Sequence, residues 1–213
     1  MPRRSGSERL AARQARLEAH ASESDPDVVM TAAARYLELR SRSVEETRRH
    51  LSAAAFPSPL IEAILERLIE LGILDDRAFA QAWVESRDRS RPRGRVALLR
   101  ELELKGIDRE TVTTVLADRD NPHESDRDVL RDGDRRYAGS ADQVAAERLL
   151  TKSRSALLRA PDWRSRRAKA YGLLARNGFD PDICREVSAK FIDSVVADAD
   201  SGSDDDPTSS QDA

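Results

Sequence analysis

Three segments of this chain repeat one pattern of residues, and this repetition limits the possible folds more than any other feature. The segments begin at Phe56, Ile107 and Phe179, so the second lies 51 residues after the first and the third follows at a longer interval. Each opens with an apolar residue and a candidate helix-capping residue, and has apolar residues five and eight positions later. A repeat of about 50 residues with this pattern predicts tandem helical units that share their cores with their neighbours.

The composition favours helices packed on helices. Aromatic residues make up only 4% of the chain and charged residues 35%, so the core must come from Leu, Ile, Val and Ala. Leu, Ala, Arg and Glu are all good helix formers. The single cysteine excludes a disulfide framework. The predicted fold is therefore all-α, with three tandem three-helix repeats forming an elongated, curved array between disordered N- and C-terminal tails.

Local signals place the helices of the first repeat. The sequence predicts a helix over Val28 to Leu39, a second from a capping box at Ser43 to about Ala54, and a third with Ser58 as its N-cap. The predicted segments are a flexible N-terminal segment at 1–27, helical repeats at 28–74, 75–118 and 141–196, an inserted linker at 119–140, and a disordered acidic tail at 197–213.

The stretch between Gly72 and Gly106 predicts two helices joined by an arginine-rich turn, which we call the basic elbow (residues 87–95). Asp75 and Asp76 fit a helix cap after Gly72 better than a catalytic acid pair. Trp83 has the spacing of a core residue. The second helix is predicted to carry one apolar face, made of Val96, Leu98, Leu99, Leu102 and Leu104.

Basic residues recur between the first two helices of each predicted repeat, and stacking of the repeats would align them into one stripe. Residues 193–213 hold seven Asp and no Lys or Arg, which leaves residues 1–192 at +4. One interpretation is a solvated face, and the other is a contact with phosphates or an acidic protein surface. The candidate partner-binding residues are Arg40, Arg42, Arg87, Arg89, Arg91, Arg93, Arg95, Arg164, Arg166 and Arg167.

Motifs for catalysis, metals and cofactors are not found in the sequence. It holds no glycine-rich phosphate loop, and His20, His50 and His123 lack the spacing of metal ligands. Cys184 falls where the repeat places core residues. Trp163 follows Pro161 at a helix start, and exposed and buried interpretations both stay open. We therefore expect a protein that is not an enzyme and needs no metal or cofactor.

No run of 18 apolar residues occurs, and no apolar run follows the N-terminal arginines. We therefore expect a cytoplasmic protein without a membrane contact.

The chain resembles the RecX family of proteins that regulate the RecA recombinase. The resemblance covers about residues 28–195, and it depends on order and spacing rather than on one motif. It is carried by Ala34-Arg35-Tyr36-Leu37, Arg40, Ser43, Glu46, Leu68, Gly72, Leu74-Asp75-Asp76, Phe79-Ala80, Arg87, Arg89, Gly94, Arg95, Leu102, Lys105-Gly106-Ile107, Lys169, Leu173, Arg176, Gly178-Phe179 and Asp180.

The resemblance implies a curved array of three three-helix repeats that binds in the groove of the RecA filament on single-stranded DNA. It also implies a monomer that restrains the ATPase, strand-exchange and coprotease activities of RecA in DNA repair, recombination and the SOS response. The insertion at 119–140 departs from the family pattern and leaves the spacing of the third repeat open. Two alternatives are direct binding to single-stranded or duplex DNA and a helical scaffold with protein partners only.

Overall fold

In the computed structural model, residues 6–120 and 140–200 are described, with side chains up to residue 195. This part of the chain is all-α, as the sequence predicts. Its ten helices are α1 (Gly6–Ala21), α2 (Pro26–Leu37), α3 (Val44–Ala53), α4 (Ser58–Glu70), α5 (Asp76–Ser90), α6 (Arg95–Leu104), α7 (Arg109–Asp120), α8 (Ala141–Leu158), α9 (Trp163–Arg176) and α10 (Pro181–Asp200).

The chain divides into two compact units. The first comprises Met1–Trp83 and Glu101–Val115, and the second comprises Val84–Arg100 and Leu116–Ala213. Each unit therefore takes part of α5, α6 and α7. The boundary between the units thus passes through the predicted second repeat.

The core of the first unit is formed by α2, α3 and α4. Ser43 and Glu46 form the predicted capping box at the start of α3. The start of α4 differs from the prediction by one residue, because Pro57 is its N-cap and Ser58 is already helical. One cluster of buried apolar residues in this unit consists of Val29, Ala33, Leu51, Phe56, Ile61, Ile64, Leu65, Leu68 and Leu74.

The core of the second unit includes α8, α9 and α10. Cys184 is buried in this core, as predicted from its place in the repeat. Burial raises the pKa of its thiol, which disfavours the reactive thiolate. The other buried residues of this cluster are Ala145, Ala146, Leu150, Leu157, Ala170, Leu174, Phe179 and Val187.

The apolar face of α6 is narrower than predicted. Leu98 and Leu102 are fully buried, whereas Val96 and Leu104 are exposed. Residues 98 and 102 lie four positions apart and share one face of the helix, while 96 and 104 each lie two positions beyond them and face nearly the opposite side. The prediction was wrong for these two positions because residues two apart in a helix cannot share one buried face.

The second helix of each predicted repeat ends in the same backbone conformation. Ala55, Gly106 and Gly178 all have positive φ, at 65°, 81° and 80°. They occupy equivalent positions, since each directly precedes the residue that opens one of the three repeated segments. Glycine adopts this left-handed conformation without a steric penalty, whereas in alanine the Cβ atom makes it unfavourable.

A set of contacts between the start of one helix and the next repeat recurs in the chain, and we call this set the joint. In the first unit it lies at the start of α3. The Ser43 hydroxyl donates to the carbonyl of Lys105 at 2.6 Å, and the Val44 amide donates to Asp76 Oδ1 at 2.9 Å. A Cβ at Gly106 would overlap the side chain of Glu45, so no larger residue fits between the two chain segments. The carboxylate of Asp76 thus caps a helix of the preceding repeat.

The second unit contains the same joint at the start of α6. The Gly94 amide donates to the carbonyl of Asn177 at 3.0 Å, and the Arg95 amide donates to Asp142 Oδ2 at 2.8 Å. Gly94 lies 51 residues after Ser43, and Asn177 precedes Phe179 by two positions, as Lys105 precedes Ile107. The chain therefore uses one contact pattern twice, although a hydroxyl makes the bond in one joint and a backbone amide in the other.

Helix α1 contacts the first repeat in the way that each repeat contacts the one after it in the two joints. Nδ1 of His20 lies 2.9 Å from the carbonyl oxygen of Ala54, which is 51 residues before Lys105. The His20 ring also stacks on Phe56 with 4.1 Å between ring centroids. The segment predicted to be flexible at 1–27 thus contains a helix, and His20 makes the bond that a preceding repeat would make.

Candidate partner-binding surface

The basic elbow lies between α5 and α6, and its backbone is held in place by the joint. Pro92 and Gly94 are buried. A Cβ at Gly94 would overlap the backbone of Gly178 and Phe179, so the close approach requires glycine. The elbow is therefore a fixed platform for the side chains it carries.

Two of the predicted arginines of the elbow contribute to this framework. The Arg93 guanidinium donates to the side-chain oxygen of Asn177. Arg95 pairs with Asp120 at 3.0 Å, and its backbone amide is bonded to Asp142. These contacts assign Arg93 and Arg95 a structural role in the joint in addition to any contact with a partner.

Arg119 strengthens the same region, and the sequence did not single it out. The predicted linker begins at Arg119, but α7 continues to Asp120 and includes this residue. Arg119 donates two hydrogen bonds of 2.9 Å to Asp88 and one of 2.6 Å to Asp142. Burial disfavours its charge, but the pairing with Asp88 and Asp142 outweighs burial and raises its pKa. These partners are distant in the chain, so no sequence signal points to the pairs.

The arginines of the first repeat also have neighbours within their unit. Arg40 pairs with Glu46 at 3.3 Å, and the Arg42 guanidinium lies 4.2 Å from the centroid of the Tyr36 ring. Lys105 pairs with the same Glu46 at 2.7 Å. Burial opposes ionisation of Glu46, but its bond with Lys105 and the nearby cations lower its pKa on balance.

The arginines of the third repeat fall into two groups, one that bonds to the backbone and one that is exposed. Arg166 Nε donates to the carbonyl of Ala160 at 3.0 Å, which fixes the turn before α9. Arg164 lies over the Trp163 ring at 5.2 Å, and both Arg164 and Arg167 are exposed. Trp163 is 50% exposed, which decides between the two interpretations left open by the sequence.

A second group of exposed cations lies at the end of α5. Arg89 and Arg91 have exposed side chains, and Arg87 is half-buried. Nζ of Lys152 on α8 donates to the carbonyls of Arg89 at 2.8 Å and Ser90 at 3.2 Å. We call Arg89, Arg91 and Lys152 the elbow cluster. The sequence did not point to Lys152, because only the packing of α8 brings it to the elbow.

The predicted stripe would join arginines of both units. Each unit by itself holds exposed arginines near the start of a second helix, at Arg40 in the first unit and at the elbow cluster in the other. Alignment of the three sets on one surface stays a prediction.

The predicted cap and core residues near the elbow have defined roles. Asp75 Oδ1 accepts the Ala78 amide at 2.9 Å and caps α5, while Asp76 serves the joint. Burial raises the pKa of Asp76. Trp83 is half-buried and donates from Nε1 to Glu101 at 2.9 Å. Asp75 and Asp76 therefore have structural partners that account for their positions.

Within the described residues, no group of three or more His, Cys, Asp or Glu side chains is arranged to hold a metal ion. No helix among them combines the length and apolar character that a membrane span requires.

Comparison with known proteins identifies the family. Residues 75–116 match the family model described as the second three-helix domain of RecX. A regulatory protein RecX from Mycobacterium sp. strain JLS is 32% identical over 153 residues, which cover 72% of this chain and 75% of the relative. The regulatory protein RecX of Mycobacterium avium strain 104 is 33% identical over 153 residues, covering 72% and 78%.

A solved structure agrees in fold. The crystal structure of RecX from Lactobacillus salivarius superimposes with a TM-score of 0.57 at 20% identity and covers 82% of this chain and 96% of that one. The identities of 32% and 33% with the two mycobacterial relatives, each over most of its length, together with this shared all-α architecture, show that the chain belongs to the RecX family of regulatory proteins.

Proposed function

We propose that this protein binds the RecA filament on single-stranded DNA and restrains its ATPase, strand-exchange and coprotease activities. The proposal includes a monomer that acts in the cytoplasm, in DNA repair, recombination and the SOS response, without enzymatic activity or a cofactor. Membership of the RecX family supports the regulatory role. The repeated helical architecture supports recognition of an extended partner, because such folds present long surfaces rather than deep pockets.

The observation that carries the proposal is the elbow cluster. Its exposed arginines project from a backbone that glycine contacts and a buried ion-pair network hold in place. Arginine donors on a preorganised support bind phosphates or carboxylates at a lower entropic cost than mobile ones do. Both groups occur on the surface of a nucleoprotein filament, which is strongly anionic along its DNA.

The contacts of the arginines decide which mutations can test this surface without disturbing the fold. Charge reversal at Arg93 would remove its contact with Asn177, and reversal at Arg95 would place a carboxylate beside Asp120, so both would confound lost binding with lost folding. Reversal of Arg89 and Arg91 leaves those contacts in place. The matched control is reversal of Arg9 and Arg13 on α1, which are also exposed and produce the same change in net charge.

The test is ATP hydrolysis by RecA on single-stranded DNA, titrated with each protein. Wild type and the Arg9→Glu/Arg13→Glu control should inhibit equally. The Arg89→Glu/Arg91→Glu variant should need about tenfold more protein, because one charge-assisted hydrogen bond contributes roughly 1.5–3 kcal/mol. Far-UV circular dichroism should show unchanged helicity. No inhibition by wild type at several-fold excess would refute the function, and equal loss in both variants would refute the assigned surface.

A direct DNA-binding role is the second candidate, and the exposed Trp163 with its neighbouring arginines favours it. Binding to bare DNA that weakens steeply with salt, together with no inhibition of RecA ATPase, would support this role as the function. Binding to DNA-free RecA would instead support a scaffold with protein partners only.

A further inference from the structure

A groove of about 400 Å³ lies between α9 and α10 in the second unit. Aromatic and basic side chains dominate its lining, and among the described residues the lining holds no carboxylate. The lining residues are Trp163, Arg164, Arg167, Ala168, Tyr171, Arg185 and Ser188.

The groove occupies the surface that the earlier repeats use for the joint. Arg167 and Ala168 follow Arg95 and Val96, at the start of α6, by the same interval that separates Phe179 from Ile107. In both joints, the start of the second helix is covered by residues from the next repeat. In the described residues, the corresponding positions of α9, Arg167 and Ala168, are exposed.

The start of α9 differs from α3 and α6 in a way that suits an open surface. Helix α9 begins at Trp163, four residues before Arg167, and thus has an additional N-terminal turn. Its amides are capped by its own chain, since Asp162 Oδ1 accepts the Ser165 amide at 2.8 Å. In α3 and α6 a first-turn amide is also bonded by a carboxylate from the next repeat, Asp76 and Asp142 respectively. The added turn is what supplies Trp163 and Arg164.

The aromatic side chains of the groove are exposed on one face of α9. Trp163 is 50% exposed and Tyr171 is 36% exposed. Residues 163, 167 and 171 are four positions apart, so Arg167 lies between the two rings on the same face. Exposed aromatic rings interleaved with arginine are the arrangement that proteins use to stack bases and bind the phosphates between them.

The charges of the groove favour an anionic occupant. Arg164 and Arg167 come from α9, and Arg185 comes from α10. Arg185 also pairs with Asp182, and its side chain remains 63% exposed. A second copy of this chain is a poorer fit, because the carbonyl of Ala54, which would dock as Lys105 and Asn177 do, is already bonded to His20.

We propose that this groove binds single-stranded DNA, with a base stacked on Trp163 and the flanking phosphates bound by Arg167 and Arg164. The inference rests on the proposed function and deepens it, because it names the DNA strand as the partner of the third repeat. Tyr171 extends the stacking surface along α9. The three arginines set the salt dependence of binding. For a single strand, the logarithm of the binding constant falls by about 0.7 per unit of the logarithm of the salt concentration for each phosphate neutralised.

The test measures binding of a fluorescent oligothymidylate of about ten nucleotides to the full chain at low salt, without RecA. Trp163→Ala should weaken binding by about 5- to 150-fold, the range expected for loss of one stacked base. Trp163→Phe retains an aromatic ring and should stay within about threefold of wild type. Arg167→Gln should reduce the salt slope by about 0.7, whereas Arg109→Gln, at an exposed arginine of α7, should not change it.

Intrinsic fluorescence provides a direct report from the groove. In a Trp83→Phe background, Trp163 is the remaining tryptophan, and stacking should quench its emission. An abasic oligomer of the same length, which has the phosphates without the bases, should bind more weakly and quench little.

Three results would overturn the inference. These are unchanged binding by Trp163→Ala, equal affinity for the abasic oligomer, and equal affinity for a polyaspartate peptide, which would assign the groove to an acidic protein partner. Inhibition of RecA ATPase is measured separately with the same variants. If the protein inhibits RecA but does not bind oligothymidylate, the groove is not a DNA site and the proposed function remains. If it binds oligothymidylate but does not inhibit RecA, the groove remains a DNA site and the proposed function is refuted.

Discussion

Replacement of Arg119 by leucine should destabilise the second unit more than any exposed arginine replacement. The Arg119 side chain is 7% exposed and pairs with Asp88 and Asp142, which are 25% and 9% exposed. Arg119→Leu would leave these two carboxylates without the guanidinium. Loss of one partner from a buried ion pair costs about 3–5 kcal/mol. Since Asp88 keeps some access to water and Asp142 keeps the Arg95 amide, we expect a cost of about 3 kcal/mol.

The matched control is Arg95→Leu, which removes an ion pair with Asp120 whose side chains are 42% and 34% exposed. Exposed pairs contribute at most about 1 kcal/mol, so the control should have a small effect. Urea unfolding at pH 7, followed by circular dichroism, should show a midpoint lowered by about 1 M or more for Arg119→Leu, given slopes of roughly 1–3 kcal/mol per molar. Equal midpoints for the two variants would refute the structural role of the network.

Two further predictions concern the first unit. Ala55→Gly should stabilise the protein by up to about 1 kcal/mol, because glycine removes the strain of positive φ, and a lowered urea midpoint would contradict this. Burial and the charge of Arg42 lower the pKa of His50 below its ordinary value of 6.5. The neutral ring therefore contributes its full stability above pH 6.5, and this stability is lost as the pH falls through the pKa of the folded state. His50→Phe keeps the stack on Tyr36 and should lose less stability than wild type between pH 7 and 5, whereas equal losses in urea midpoint would exclude this cause.

Much of the local structure follows from short-range physics. The capping box at Ser43 and the stops at Gly106 and Gly178 involve groups a few residues apart, so their spacing is visible in the chain. The burial of Cys184 was also predictable, because the repeat equates it with Ile61 and Val112. The start of α4 was predicted one residue late, since Pro57 is the N-cap and makes no side-chain capping bond.

The candidate surfaces were only partly predictable. The arginine-rich composition of the elbow is apparent from the chain, but the side chains that remain exposed are not. Arg93 bonds to Asn177 and Arg95 pairs with Asp120, whereas Lys152 is brought to Arg89 by the packing of α8. These contacts join residues 25 to 84 positions apart, and no periodicity encodes them.

The sequence by itself determined that this protein is a set of helices with a repeated pattern of caps, stops and apolar positions. It did so because hydrogen bonding within a helix and at its ends depends on neighbouring residues. Only the tertiary structure decided which arginines hold the joints and which face solvent, and it alone revealed Arg119 and the groove beside Trp163. The reason is that burial and ion pairing depend on which distant segments meet, and the same arginine can serve either purpose.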